Sequence, residues 1–496
     1  MSKLSPGDRE ELLQALREMG GAGQAESENP DLFRQRFYPV AEHLRAFSPD
    51  VTLIVGERGS GKSELFGAAM RFELLPDAAR YAPGVRLPPL EAARTKWLAA
   101  YPIGPKFPDP PGQHRFLNSN QRTSRDAQQL WFAYLVRLLQ LELDAEASET
   151  LPALFAPQGG DAEPVVNAFN QAGQSPLLAL DRLDERLLQE DRWIFVGYDE
   201  LDTLGDYDWQ TMGTAISGLI SFWASYARRW RRLRAKIFMR TDLFRRNTSS
   251  LSADMPKLAA NRVEVSWSDR NLYGMLAKRI ANSSPALQRY CASSRLGFKR
   301  QDDVLGWIPD IATAEDAKPL VQRMIGPYMG ANQTKGLTFN WLLDHIRDGQ
   351  DKAYPRALVR LIEQAAVNEM ASPRAGYSRL IDPTSIRRAI DNVSELQVTQ
   401  AISNEWPWLE GVRGRIRRES VPMTRRQLEY LLSKDWNVSW NSQRKVRPPA
   451  DDQRVFVNYL VELGIMRQRG DGRLDTPDLY QSGLGLKRKG GVRRNK

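Results

Sequence analysis

Only one cysteine, Cys291, and three scattered histidines, His43, His114 and His345, occur in 496 residues. A single thiol excludes an internal disulfide, and so few imidazoles exclude a Cys/His zinc site. The chain also lacks any apolar run of about 18 residues that could cross a membrane. Its start, MSKLSPGDREELL, has no signal-peptide apolar core, so a cytoplasmic location is expected. No second phosphate loop, no LSGGQ-like signature, no ordered helicase arginine series and no nuclease or protease constellation is found. What remains is a soluble composition, 42% hydrophobic and 26% charged, on a chain long enough for about three domains.

Charge is unevenly placed. Residues 411–496 hold 20 Lys and Arg against 9 Asp and Glu, a surplus of eleven, which leaves residues 1–410 one unit negative. A basic end of this kind fits a polyanion, most often nucleic acid, or else a solvated tail.

The strongest motif is VTLIVGERGSGKSEL. Val51 to Val55 reads as a buried strand, Gly56-Glu57-Arg58-Gly59-Ser60-Gly61-Lys62-Ser63 as a phosphate loop, and Glu64 onward as a helix. Loop amides and the helix N-terminus cradle phosphate oxygens, Lys62 reaches the outer phosphates, and the Ser63 hydroxyl ligates Mg2+. ATP or GTP binding is therefore expected, with Mg2+ carried in by the nucleotide.

A second acidic site follows in RWIFVGYDELD. Its apolar run reads as a buried parallel strand ending in Asp199, suited to the Mg2+ side, and Glu200, suited to activating water. A plain acidic turn would look the same in isolation; the phosphate loop in the same chain favours hydrolysis. Between the two motifs an insertion is expected around residues 75–165, with loops at Pro105 to Gln113 and from Ala156, a candidate strand at His114 to Asn118 and a helix over Ala127 to Leu143.

After a helix read over Trp209 to Arg232 comes the strand Ala235 to Asp242, where Arg240 or Thr241 is a candidate γ-phosphate sensor. The basic cluster RRWRRLRAK, Arg228 to Lys236, reads as a solvated helix end or a subunit contact. A further strand spans Asn261 to Trp267 and leads into LYGMLAKRIA, and Lys352 to Leu361 opens a helix with Arg356 in its first turn.

In this order the pieces resemble the AAA+ and STAND branch of P-loop ATPases, in particular bacterial relatives of origin-recognition initiators and KAP-type ATPases. The resemblance rests on GERGSGKS, WIFVGYDELD, KIFMRTD, RVEVSWSDRNLYGMLAKRI and YPRAL, and covers roughly Asp31 to Asn392. It implies ATP as the nucleotide, Arg240 as sensor 1, Arg356 as sensor 2 and Arg262 as an arginine finger. An arginine at the sensor-1 place leans toward STAND proteins, where such fingers are often missing. The resemblance further implies a homo-oligomer that acts on an effector protein in trans, as in anti-phage defence or mobile-element systems. Its rivals are a DNA-loading initiator ATPase and a nucleotide-locked scaffold.

Toward the C-terminus, residues 281–398 have helical periodicity and suit a helical lid. Val421 to Leu432, with Thr424 as cap and Gln427 three residues on, reads as a helix, and Ala450 to Met466 as another. Arg467 to Arg473 reads as a two-stranded wing turning on Gly-Asp-Gly. Together these resemble a winged helix, a module that binds DNA or docks protein; Arg467, Arg469 and Arg473 are its phosphate-contact candidates. Lys487, Arg488, Lys489, Arg493 and Arg494 read as a flexible basic arm that tracks phosphates. The expected fold class is thus α/β: a P-loop core with a parallel sheet, an α-helical lid and a winged-helix end. The expected boundaries are 1–30 for an N-terminal helical extension, 31–280 for the core, 281–398 for the lid, 411–482 for the winged helix and 483–496 for the tail.

Overall fold

A computed structural model of the chain describes residues 4–19, 29–102, 110–118, 122–156, 161–204, 209–248, 255–294, 296–373, 378–444 and 446–489. Arg493 and Arg494, and residues 105–109 and 157–160 of the stretches read as loops, lie outside the described residues, while residues 110–113 of the first stretch are helical. Two compact units result, Pro39–Val265 and Met1–Tyr38 with Ser266–Lys496.

The first unit is built on five parallel strands, β1 (Leu53–Gly56), β2 (Thr95–Tyr101), β3 (Trp193–Tyr198), β4 (Leu233–Arg240) and β5 (Val263–Glu264). Their order across the sheet is β2-β3-β4-β1-β5, all parallel. Leu53, Ile54, Ile194, Phe195, Ile237 and Phe238 are fully buried, each worth about 2 kcal/mol of apolar burial. This burial is why β1, β3 and β4 read in the sequence as unbroken apolar runs. The helix Lys62–Met70 lies on β1, β2 and β4. Helices Ser124–Leu138 and Trp209–Tyr226 pack on each other within the same core.

Three expectations are corrected here. His114 to Asn118 is the end of a helix, Pro110–Asn118, and not a strand; paired prolines preset the φ of a first helical turn. The second strand is instead Thr95–Tyr101, within the range read as an insertion, so part of residues 75–165 is core sheet. RRWRRLRAK is not a solvated helix end. The helix stops at Tyr226, Trp230 is buried and stacked on Tyr226 at 4.6 Å, and Lys236 is buried in β4, donating to the Ser48 and Val51 carbonyls at 2.5 Å each.

The second unit joins the N-terminal helix Pro6–Arg17 to the helices Asp269–Ser283, Pro355–Ala371 and Pro383–Asn404. Leu12, Leu13 and Leu16 form the buried face of the N-terminal helix. Arg9 donates to the fully buried Glu369 at 2.5 Å and to the Leu380 carbonyl at 3.1 Å. Glu369 also accepts from Asp382 N at 3.0 Å and Ser385 Oγ at 2.6 Å, so its charge is paired and its lone pairs used. Accordingly the compact sheet unit ends at Val265 and not at 280, and residues 31–38 pack with the helices. The segment 281–398 is not wholly helical: β6 (Phe298–Asp302) and β7 (Gly306–Pro309) form a hairpin.

At the C-terminal end, helix Arg425–Ser433 starts where Thr424 Oγ1 accepts from Gln427 N at 3.2 Å. Helix Gln453–Glu462 starts where Asp452 accepts from Arg454 N and Val455 N at 2.7 and 2.9 Å. The hairpin β9 (Arg467–Gln468) and β10 (Leu474–Asp475) turns through Gly472 at φ 79°. Two short strands, β8 (Ser420–Val421) and β11 (Lys487–Arg488), pair in parallel. That pairing corrects the flexible-arm reading of Lys487, Arg488 and Lys489, since Lys487 N and Lys489 N donate to the Glu419 and Val421 carbonyls at 2.8 and 2.9 Å.

Candidate functional site

β1 ends at Gly56, and the chain turns through Glu57, Arg58, Gly59, Ser60 and Gly61 into the helix that begins at Lys62. Gly59 and Gly61 have φ of 74° and 95°, a region that favours glycine. A Cβ on Gly56 would sit 2.5 Å from Ser60 Oγ and 3.2 Å from the Val265 carbonyl oxygen, so only glycine allows the loop to fold back this tightly. Gly61, the helix N-cap, offers no side-chain cap. The first turn of this helix, starting at Lys62, is therefore not capped by the N-cap side chain, and it presents the positive end of the helix dipole.

Lys62 Nζ donates to the Gly56 and Glu57 carbonyls at 2.9 and 3.0 Å across the mouth of this loop. Burial lowers its pKa below the ordinary lysine value, and Asp199 opposes that shift. Asp199 follows β3 and is 3% exposed; its amide donates to the Tyr101 carbonyl at 3.1 Å. Burial raises its carboxyl pKa, while a hydrogen bond from the Ser63 hydroxyl, the Glu200 amide and the Lys62 ammonium pull it down. Its Oδ2 is buried and accepts no hydrogen bond among the described residues. The fold thus brings Lys62, Ser63 and Asp199 together.

Glu200 adopts left-handed backbone angles, φ 53° and ψ 33°, which costs a non-glycine residue about 1 kcal/mol or more. The turn is held from below. Thr203 N and Thr203 Oγ1 both donate to the Glu200 carbonyl, at 2.9 and 2.8 Å. With that hydroxyl proton committed, the Tyr101 hydroxyl is the donor in its 2.6 Å bond to Thr203 Oγ1. Tyr101 is itself fixed edge-on against Trp131 and buried, which pushes its phenol up to about 12.

Arg240 pairs in register with Gly56, which sets it beside the loop at the carboxyl edge of the sheet. Its guanidinium is buried and forked onto Asp242 at 3.0 and 2.7 Å, with a third bond to Asp202 at 3.3 Å. It therefore ties the end of β4 to the turn after β3. Next to it, Thr241 Oγ1 is buried without a hydrogen-bond partner among the described residues. Arg262 is exposed, donates to the Ala259 carbonyl at 2.9 Å and lies over the Phe244 ring at 5.6 Å. Arg356 stands in the first turn of Pro355–Ala371, in the other compact unit. The sequence reading passed over Tyr101, Thr203, Asp202 and Asp242. Only the two aspartates had a signal, as acids two residues beyond Glu200 and Arg240.

At the C-terminal end, Arg473 forks onto Asp471 at 2.9 and 2.6 Å, Arg469 donates to Asp475 at 3.4 Å, and Arg488 donates to Asp478 at 2.5 Å. Arg467, Lys487 and Lys489 are exposed. Three of the six described phosphate-contact candidates are thus engaged by aspartates of their own module.

The donor set fits a nucleoside triphosphate with a divalent cation. The helix that begins at Lys62 has no side-chain cap, Gly56 lets the loop fold back onto Ser60 and Val265, and Asp199 holds an unused buried carboxylate oxygen beside the Ser63 hydroxyl. Mg2+ is commonly bound by one or two such protein oxygens together with substrate phosphates and water.

Parallel sheet and phosphate loop together define the class: an α/β fold with a P-loop core. No protein-family model matches the chain, and no curated protein matches it in sequence. Among solved structures it is similar to the Aeropyrum pernix ORC2 protein in its ADPNP–ADP complexes, at 14% identity over 90% of this chain and 91% of that one, with a TM-score of 0.38. It is also similar to a Walker-type ATPase of Pyrococcus abyssi, at 12% identity over 95% and 99% with a TM-score of 0.36. A third is the Aeropyrum pernix ORC1 protein in complex with DNA, at 12% over 96% and 91% with a TM-score of 0.33. At such scores these likenesses carry no weight beside the chain's own geometry.

Proposed function

We propose that this chain is a Mg2+-dependent ATPase of the AAA+ and STAND branch, a nucleotide-controlled switch that assembles with its own copies and engages DNA through its C-terminal end. One observation carries the reading: Lys62, Ser63 and the half-satisfied carboxylate of Asp199 meet at the mouth of a loop that leads into a helix without a side-chain cap. In that reading Lys62 exchanges its two carbonyl partners for phosphate oxygens. Ser63 and Asp199 hold Mg2+, which when bound neutralises charge on the phosphates. Glu200, on its clamped turn, accepts a proton from the attacking water. Arg240 and its two aspartates link the turn beside Glu200 to the end of β4, a coupling suited to a switch.

A DNA-loading ATPase is favoured as a second reading by the exposed cations at the C-terminal end. Turnover with and without duplex DNA separates it from an ATPase that regulates an effector, because strong stimulation by DNA belongs to the loader. The primary test is calorimetric titration with ATP and Mg2+. Lys62→Ala is expected to weaken binding about a hundredfold. Absence of ATP binding by the wild type, or equal binding by Lys62→Ala, contradicts the reading.

A further inference from the structure

We infer that a small cleft between the helix Leu409–Ile416 and the loop Ser482–Gly485 seats a backbone phosphate of nucleic acid, clamped by Arg413 and Arg417. The inference rests on the DNA-binding reading and places the contact where the sequence did not. The cleft has a volume of about 310 Å3 and is lined by Arg413, Arg417, Thr399, Ser482 and Glu395, with Gly483 and Gly485 at its wall. Arg413 and Arg417 are one helical turn apart, so their like charges repel. Among the described residues neither guanidinium has a hydrogen-bond, ion-pair or ring partner. An anion between them relieves the repulsion and meets two planar donor forks at once.

The surrounding groups sharpen the choice of anion. Ser482 has its hydroxyl proton committed to Asp391, leaving Thr399 as the neutral hydroxyl donor of the cleft. Gly483 is required, since a Cβ there would strike the Ser394 carbonyl, and this lets the loop press against Pro383–Asn404. Glu395 subtracts one charge, so the cleft keeps a net charge of one positive unit, modest for a free dianion.

The backbone pairing extends the cleft into a line. Arg418 N donates to the Gly485 carbonyl at 2.8 Å and Lys487 N to the Glu419 carbonyl at 2.8 Å, so two basic runs about seventy residues apart lie side by side. Arg415 is spent on the Lys434 and Asp435 carbonyls, and Arg488 on Asp478. That leaves Arg413, Arg417, Arg418, Lys487 and Lys489 along one seam, their side chains free of hydrogen-bond and ion-pair partners among the described residues. A row of five cations suits a chain of phosphates better than a single one. On the wing, by contrast, Arg469 and Arg473 are already paired.

The test is fluorescence anisotropy of the full chain with a random-sequence DNA duplex of about 30 base pairs across a salt series. Arg413→Gln with Arg417→Gln should weaken binding about tenfold and make the log–log salt slope shallower by about one. Arg413→Lys with Arg417→Lys should keep the slope, and Glu395→Gln should tighten binding about twofold by removing a repulsive charge. Duplex binding with affinity and slope unchanged in the Gln pair overturns the clamp while leaving the DNA reading standing. No duplex binding by the wild type overturns both. Calorimetry with inorganic phosphate closes the remaining alternative: Arg413- and Arg417-dependent phosphate binding, with duplex binding unaffected by the Gln pair, overturns the nucleic-acid source.

Discussion

Removing one oxygen from Tyr101 should separate nucleotide binding from hydrolysis. In Tyr101→Phe the ring stays wedged against Trp131, whose centroid is 5.9 Å away, and only the 2.6 Å bond to Thr203 Oγ1 is lost. Thr203 still donates to the Glu200 carbonyl, so no buried donor is orphaned and the stability cost should be about 1 kcal/mol. Glu200, however, sits in a left-handed conformation that itself costs about 1 kcal/mol or more, and a loosened clamp lets that strain relax. A base displaced by a fraction of an ångström loses much of its effect, so with Glu200 as the proposed base turnover should fall about tenfold, while ATP affinity, assigned in that proposal to Lys62 and the loop, stays within about twofold. Steady-state ATPase assays with parallel binding titrations and urea melts measure all three quantities. Thr203→Val should be worse, costing about 2 kcal/mol, because it also leaves the Tyr101 hydroxyl buried without an acceptor. Wild-type turnover in Tyr101→Phe, with the expected loss of stability, would refute the claim that this clamp positions Glu200.

Three further outcomes stem from two buried carboxylates. Asp184 accepts from Arg231 N, Arg232 N and Leu233 N at 2.8, 2.7 and 2.8 Å at the start of β4, so Asp184→Ala should cost about 3 to 5 kcal/mol in urea unfolding. A loss below about 1 kcal/mol counts against that account. Asp199 keeps its proton to a higher pH than an ordinary carboxyl, chiefly through burial. In the proposed site Mg2+ displaces that proton, so Mg2+-dependent ATP binding should weaken on acidification from above the usual carboxylate range, and Asp199→Asn should abolish that pH dependence. In the protein without nucleotide the sign is reversed. The native state binds the extra proton, so stability falls as pH rises from the unfolded carboxyl value to the raised one.

The strand before the phosphate loop, the strand with the acidic end at Asp199 and the strand ending at Arg240 were legible because strands buried on both faces must be continuous apolar runs, as in VTLIV, WIFV and KIFM. The strand Thr95–Tyr101 escaped for the complementary reason. It lies at the sheet edge with Lys96 exposed and Trp97, Leu98 and Ala99 only half-covered, so TKWLAAY shows neither a solid apolar run nor strict alternation. His114 to Asn118 looked extended through its aromatic and apolar centre, yet Phe116 and Leu117 are simply the buried face of a short helix. Long-range pairings left no local mark at all. Arg9 finds Glu369 across 360 residues, and Tyr101 finds Thr203 across 102. At the basic end, composition gave the sign of the charge. Which arginines are spent on Asp471, Asp475 and Asp478, and which line the seam beside β11, depends on side-chain partners that composition does not encode.

The central claim is that this site hydrolyses a nucleoside triphosphate and does not merely hold it, and Glu200→Gln tests it most directly. Turnover and equilibrium ATP binding should be measured on the same preparations of wild type and variant. The expected result is undiminished ATP binding with turnover reduced about a hundredfold or more. Equal turnover in both proteins, or a wild type that binds ATP without converting it, would contradict the account.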